Sequence, residues 1–159
     1  MKMFEFRSML KEKAKSLDID SVDIDYLIAD VLNVSRTDLV LIDEIDEKNK
    51  RKILKLAKKR FRHIPIDKIL KHTYFYGYEY TVNENVLTPR QDSEILVDTA
   101  LDLIKENSYN TLLDMCTGSG WLAISIKKNV DILVDAVDIS KRALKVAKKN
   151  AKQNAVDIR

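Results

Sequence analysis

The sequence predicts an α + α/β fold: an N-terminal helical bundle, a β-hairpin connector and an incomplete Rossmann-like α/β unit. Three observations support it. Apolar residues recur at helical spacing through roughly the first sixty residues, an aromatic and β-branched run occupies 74–82, and strand-like and helix-like patterns alternate from residue 110 onward. We therefore expect a helical domain at 1–72, a connector at 73–90 and an α/β part at 91–159.

The N-terminal part is expected to contain four helices. The residues expected to face inward are Phe4, Met9, Leu10, Ala14 and Leu17 in the first helix and Val22, Tyr26, Leu27, Val31 and Leu32 in the second. The third helix is short and follows Ser35. In the fourth helix the inward residues are Ile53, Leu54, Ala57 and Phe61. Ser21 is expected to cap the second helix. Asp46 and Glu47 place negative charge at the start of the fourth, where the helix dipole favours it.

The C-terminal part is expected to alternate strands and helices. After a strand pair that turns near Gly77, a helix at 92–105 should turn Ile95, Leu96, Ala100, Leu101 and Ile104 inward. Short apolar strands at 111–114 and 132–137 are each followed by a helix, at 121–128 and 141–154. This order is typical of a βαβα unit that opens a doubly wound sheet.

Composition excludes several classes of protein. Of 159 residues, 28 are basic and 25 acidic, so the net charge of +3 does not argue for a nucleic-acid partner, and the basic run at 48–62 is interpreted as a solvated helix face rather than an RNA contact. The single cysteine, Cys116, rules out an internal disulfide and is typical of a reducing compartment. No apolar run reaches the roughly 18 residues of a membrane span. We expect a cytoplasmic protein with no metal site.

The loop after the first of these strands is the most informative motif. Asp114 ends the strand, and the loop Cys116-Thr117-Gly118-Ser119-Gly120 leads directly into a helix. Glycines allow close approach of a ligand to the backbone, and the helix N-terminus offers unpaired N–H groups. Asp138 ends the next strand, 18 residues beyond Gly120, where a carboxylate commonly binds ribose hydroxyls.

Two cofactors compete for this pattern. Gly118-x-Gly120-x-x-Ala123 also satisfies the dinucleotide motif, and an ordinary strand-to-helix turn without a ligand is a third interpretation. Asp114 decides the preference, because a carboxylate there repels a pyrophosphate and attracts the ammonium and sulfonium charges of S-adenosylmethionine. The expected cofactor-binding residues are Asp114, Cys116, Thr117, Gly118, Ser119, Gly120 and Asp138, with Cys116 a small packing residue rather than a nucleophile.

Nearly the whole chain resembles one enzyme family. Residues 110–155 resemble the motif I and II region of class I methyltransferases, and 85–94, Asn-Val-Leu-Thr-Pro-Arg-Gln-Asp-Ser-Glu, resembles the segment before the core of HemK-like protein glutamine methyltransferases. The hairpin and the N-terminal part fit the same family through Phe75, Gly77, Tyr80 and Val82 and through Leu27, Leu32, Ser35, Arg36 and Leu39. The resemblance implies S-adenosylmethionine as cofactor and N5-methylation of the glutamine in the Gly-Gly-Gln loop of a peptide-chain release factor.

This sequence departs from that family at several positions. Lys71 and Cys116 stand where the family has glycines, and Ser93-Glu94 replaces Thr-Glu. The family's Asn-Pro-Pro-Tyr motif, which holds the acceptor amide, does not occur. We therefore expect the chain to be a fragment that is inactive alone, with its catalytic residues unknown.

Two other functions stay open at this stage. One alternative is a non-catalytic module that binds a translation factor or RNA. The other is a fragment of an adenine-specific nucleic-acid methyltransferase, which uses a similar tetrapeptide. Two parallel strands alone leave a sheet edge exposed, and we expect self-association through it.

Overall fold

The computed structural model describes all 159 residues and divides into two units, Met1–Leu70 and Lys71–Arg159. Four helices form the first unit. They are α1 (Met3–Lys15), α2 (Val22–Leu32), α3 (Glu47–Arg60) and α4 (Ile66–Leu70), with a 3-10 turn at Thr37–Leu41. Helix α2 packs against the other three. Its Ile24, Leu27 and Ile28 are fully buried together with Phe6 of α1 and Ile53 of α3, so α2 is the centre of this core.

Four residues predicted to face inward in this unit are exposed: Phe4, Met9, Val22 and Tyr26. Phe4 and Met9 are 78% and 49% exposed, because the buried stripe of α1 runs through Phe6, Leu10 and Ala14. Ser21 occupies the predicted N-cap position of α2, but its side chain makes no capping hydrogen bond; Asp20 accepts one from the N–H of Val22. The acidic start of α3 is confirmed, since Asp46 is its N-cap and accepts from the N–H of Asn49.

The second unit begins with the expected hairpin. Strands β1 (His72–Phe75) and β2 (Tyr78–Thr81) are antiparallel, with Phe75 opposite Tyr78. The two residues between them, Tyr76 and Gly77, have φ of 50° and 77°. Positive φ at both positions is the signature of the two-residue turn whose twist matches a hairpin, and glycine adopts it without strain.

A parallel strand pair follows the hairpin. The elements are α5 (Glu94–Asn107), β3 (Thr111–Met115), α6 (Trp121–Asn129), β4 (Leu133–Val137) and α7 (Lys141–Gln153). Strand β3 pairs with β4 in register from Thr111–Leu133 to Met115–Val137, and α6 forms the crossover. Arg159 extends the pairing, because its N–H and C=O bond to Val134 and Ala136 on the outer edge of β4.

Side chains alternate across this parallel pair. Leu112, Asp114, Val134 and Ala136 lie on the side that α6 covers. Leu113, Met115, Leu133 and Val137 lie on the opposite side and are 57%, 64%, 54% and 41% exposed. One face of the sheet is therefore packed and the other is uncovered.

Helix α5 corrects a further expectation. Val97 and Ile104 are buried, whereas Ile95 and Leu96, expected to face inward, are 71% and 49% exposed. The sequence pattern predicts a wider buried stripe than the structure has. Only one side of α5 packs against the hairpin and α6, so apolar residues on its other side are exposed. No helix combines the length and apolar character needed to cross a membrane.

Candidate functional site

The glycine loop joins β3 to α6 through three residues with positive φ. Cys116, Gly118 and Gly120 have φ of 63°, 57° and 80°. The N–H of Thr117 bonds to the carbonyl of Val137 at 3.0 Å, and the N–H of Gly120 bonds to the carbonyl of Thr117 at 2.8 Å. The first of these bonds attaches the loop to the end of β4, so the loop lies at the carboxyl ends of both strands.

The glycines Gly118 and Gly120 of this loop differ in their surroundings. A Cβ at Gly120 would lie 3.1 Å from the Cβ of Ala147 and from Cδ1 of Ile124, so a side chain there would force these neighbours in α7 and α6 to shift. A Cβ at Gly118 would meet only the carbonyl of Cys116, at 3.9 Å. Gly118 therefore presents an open surface, whereas Gly120 permits helix packing.

Asp138 follows β4 and lies next to the loop, as the motif predicts. Its Oδ2 accepts a hydrogen bond from the N–H of Gly118 at 2.9 Å, and its Oδ1 accepts one from the N–H of Ser140 at 2.8 Å. A carboxylate has about four lone-pair sites, so each oxygen retains capacity for a further donor. Asp138 thus links the loop to the start of α7 and still offers acceptors.

Asp114 lies beneath the loop rather than open to it. Its side chain is on the α6 side of β3 and the residue is 6% exposed. Its Oδ2 accepts from the hydroxyl of Thr117 at 2.6 Å, and its carboxylate also accepts from the N–H of Ala123 in the first turn of α6. Burial raises the pKa of the Asp114 carboxyl, although both hydrogen bonds act to lower it; the charge of Asp138 adds to the rise.

The remaining predicted residues divide between surface and interior. Cys116 is exposed, with a free thiol. Ser119 is completely buried, and its Oγ has no hydrogen-bond partner. Asn150 of α7, which sequence reasoning missed, donates a hydrogen bond to the carbonyl of Ser119 at 2.8 Å. Its only sequence signal is a lone amide on the otherwise apolar stripe of Ala143, Val146 and Ala147.

A separate cavity of about 420 Å³ lies behind the loop, between α6, α7 and the last residues of the chain. Its walls are mainly small and apolar, including Ala123, Ala136 and Ala147. Of the predicted cofactor-binding residues only Gly120 lines it. This cavity and the surface formed by Gly118 and Asp138 are therefore different places.

Two family profiles match the chain. One, described as PrmC N-terminal domain, matches residues 5–70, and the other, described as Methyltransferase small domain, matches residues 91–159. The second match contains the whole glycine loop and Asp138.

Several curated relatives of this chain share one name. A release factor glutamine methyltransferase of Dictyoglomus turgidum is 35% identical over 150 residues, which are 92% of this chain and 53% of the relative. Those of Leptospira interrogans and Mycoplasma mycoides are 38% and 33% identical, over 89% and 93% of this chain and 51% and 54% of the relatives.

The chain spans about half the length of the curated relatives it matches. The alignments extend over about nine-tenths of this chain and therefore overlap both profile matches. The N-terminal helices, the strand–loop–helix with its glycines and the carboxylate after the next strand all fall inside that half. The chain belongs to the HemK-like family of release factor glutamine methyltransferases.

Proposed function

We propose that this chain supplies the N-terminal half and the donor site of an S-adenosylmethionine-dependent enzyme. The enzyme methylates N5 of the glutamine in the Gly-Gly-Gln loop of peptide-chain release factors. In this proposal the β3–α6–β4–α7 segment opens a Rossmann-like class I methyltransferase sheet. The helical part at 1–72 helps to recognise the release factor, and the β-hairpin at 73–90 connects the two parts.

The observation that carries the proposal is the contact between Asp138 and the N–H of Gly118. It brings a carboxylate with spare acceptor sites beside a loop surface that no side chain covers at Gly118. That combination suits a ribose diol next to a zwitterionic amino-acid group. The name that the curated relatives share supports the release factor as substrate.

The residues present fit S-adenosylmethionine. Asp138 would accept hydrogen bonds from the ribose hydroxyls, and the backbone of 116–120 would hold the methionine portion. Asp114, beneath the loop, would contribute negative charge on the side of the ammonium and hold Thr117 in place. When bound, the cofactor supplies a methyl group on a positively charged sulfur.

Transfer also requires the acceptor nitrogen to be held in line with that methyl group. Such positioning accounts for around 7–11 kcal/mol of barrier lowering. The Asn-Pro-Pro-Tyr motif that performs it in this family does not occur in the sequence. Losing about 5 kcal/mol of positioning would slow the reaction several thousandfold. We therefore propose that residues 1–159 bind donor weakly and do not methylate by themselves.

A labelled-methyl transfer assay with purified release factor tests this proposal. It compares the 159-residue chain with a version extended by the second half found in its relatives, using as control a release factor whose Gly-Gly-Gln glutamine is changed to alanine. We expect the extended protein alone to label the unmodified factor, at that glutamine.

Two results would overturn it. Labelling by the short chain at a rate near that of the extended one would mean that the acceptor site is built from residues assigned here to packing. An extended protein that binds the release factor without labelling it would favour a non-catalytic binding module.

A further inference from the structure

Asn150 is a completely buried amide in the last turn of α7. Its Nδ2 donates to the carbonyls of Thr81 at 3.0 Å and Ser119 at 2.8 Å. Its Oδ1 accepts from the N–H of Thr81 at 2.8 Å. The side chain thus bonds to the backbone of two segments, 69 and 31 positions away along the chain.

A buried amide on an apolar stripe costs desolvation energy unless it is fully hydrogen-bonded. Asn150 meets that condition, and its three bonds in turn satisfy the N–H and C=O at the end of β2 and the C=O in the glycine loop. An alanine, like its neighbours Ala143 and Ala147, would leave all three backbone groups without this partner. The side-chain amide of Asn150 therefore joins β2 to the glycine loop in a way that an apolar side chain could not.

The loop needs such a contact because its conformation is intrinsically loose. Ser119 lies between two glycines, which lose the most conformational freedom on ordering. Asp138 holds the N–H of Gly118 from one side, and Asn150 holds the carbonyl of Ser119 from the other. The hydroxyl of Ser119 makes no hydrogen bond and does not help.

We propose that Asn150 is a positioning residue of the donor site, which orders the glycine loop before the donor binds and couples it to the hairpin strand β2. This inference rests on the proposed function, because it assumes that the loop binds S-adenosylmethionine. A loop ordered in advance does not have to be ordered by the ligand, and affinity rises accordingly.

Asn154 provides a matched control. It caps the C-terminal end of α7, one turn beyond Asn150, and its Nδ2 donates to the carbonyl of Glu79 and to the carbonyl of Asn150, both at 3.0 Å. It therefore ties the same helix to the same strand without touching the glycine loop. Asn154→Ala removes a helix–hairpin contact of the same chemical kind.

Calorimetric titration with S-adenosylmethionine tests the proposal on the 159-residue chain. We expect Asn150→Ala to weaken binding about tenfold, because the loop must then be ordered by the ligand, and Asn154→Ala to change it less than about twofold. Circular dichroism checks that both variants are folded. Equal affinity in wild type and folded Asn150→Ala would overturn the inference while leaving the proposed function intact.

A measurement on the wild type covers the case in which Asn150→Ala does not fold. In an NMR titration with S-adenosylmethionine, the side-chain amide of Asn150 should shift together with the backbone amide of Gly120, and that of Asn154 should stay in place. An Asn150 amide that does not respond while Gly120 does would overturn the inference. Absence of any binding by the wild type would overturn the proposed donor site and this inference with it.

Discussion

Asp138 is the residue whose position most directly supports donor binding. Both of its oxygens already accept from backbone N–H groups, of Gly118 and Ser140, so Asp138→Ala removes loop support as well as any ribose contact. Charge-assisted hydrogen bonds contribute roughly 1.5–3 kcal/mol. We expect the variant to bind S-adenosylmethionine at least about tenfold more weakly by calorimetry.

Asp135→Ala is the control for that measurement. Asp135 lies on β4, the strand that precedes Asp138, but it is partly exposed and pairs with Arg159, away from the loop. Its loss should leave donor affinity unchanged. If Asp138→Ala binds as tightly as wild type, the ribose assignment fails.

Asp114 should make stability depend on pH in an unusual direction for an aspartate. Burial raises the pKa of this carboxyl in the folded protein above its ordinary value, so the folded state retains the proton more strongly than the unfolded state. Stability is then lost as the pH rises from about 4 through the raised value. Asp114→Asn has no such loss, and its amide still offers an acceptor to the N–H of Ala123 and a donor to Thr117.

Thermal unfolding of both proteins from pH 3.5 upward would show this effect. The melting temperature of wild type should fall relative to that of Asp114→Asn as the carboxyl ionises. If the melting temperatures of the two proteins change in parallel with pH, ionisation of Asp114 does not destabilise the folded state. A donor titration at neutral pH then separates charge from structure: weaker binding by a stable Asp114→Asn would support an electrostatic contribution to ammonium binding.

At the scale of elements, the parallel pair β3–β4 exposes both an apolar face and a strand edge. Parallel strands are normally covered on both faces, yet Leu113, Met115, Leu133 and Val137 form an uncovered apolar face. Strand β3 has β4 as its only strand partner, so its other edge is also free. We expect the chain to self-associate, with sedimentation equilibrium showing an average mass that rises with concentration.

The variant Leu113→Lys/Met115→Lys should suppress that association, because it places two charges on the uncovered face. Leu87→Lys is the control: Leu87 is 87% exposed and lies outside both sheets. A wild-type chain that stays monomeric at all accessible concentrations would contradict the prediction. Equal suppression by Leu87→Lys would place the contact elsewhere.

Element order was predictable from sequence because it depends on local patterns. The hairpin run, the glycine loop and the alternating apolar strands are each contained in a few neighbouring residues. Which side of a helix is buried was less predictable. Phe4, Ile95 and Leu96 are apolar at helical spacing, but their burial depends on whether another element lies opposite, and none covers them.

At the scale of the whole molecule, the two units carry different parts of the family resemblance. The helical unit corresponds to the PrmC N-terminal profile, and the methyltransferase profile lies within the second unit. The three-part division at 1–72, 73–90 and 91–159 stays a prediction. So do the roles of the seven expected cofactor-binding residues.

Residue types and short spacings were enough to identify the family, the order of elements and the positions of the loop and of Asp138. The burial of Asp114 under the loop, the open face of the parallel pair and the contact of Asn150 with both the loop and β2 depend on how distant segments pack, and the fold was needed to find them. Asn150 meets its partners across 31 and 69 residues of chain, a separation at which no local pattern indicates contact. Packing alone brings those segments together, and with them the hydrogen bonds that shape the site.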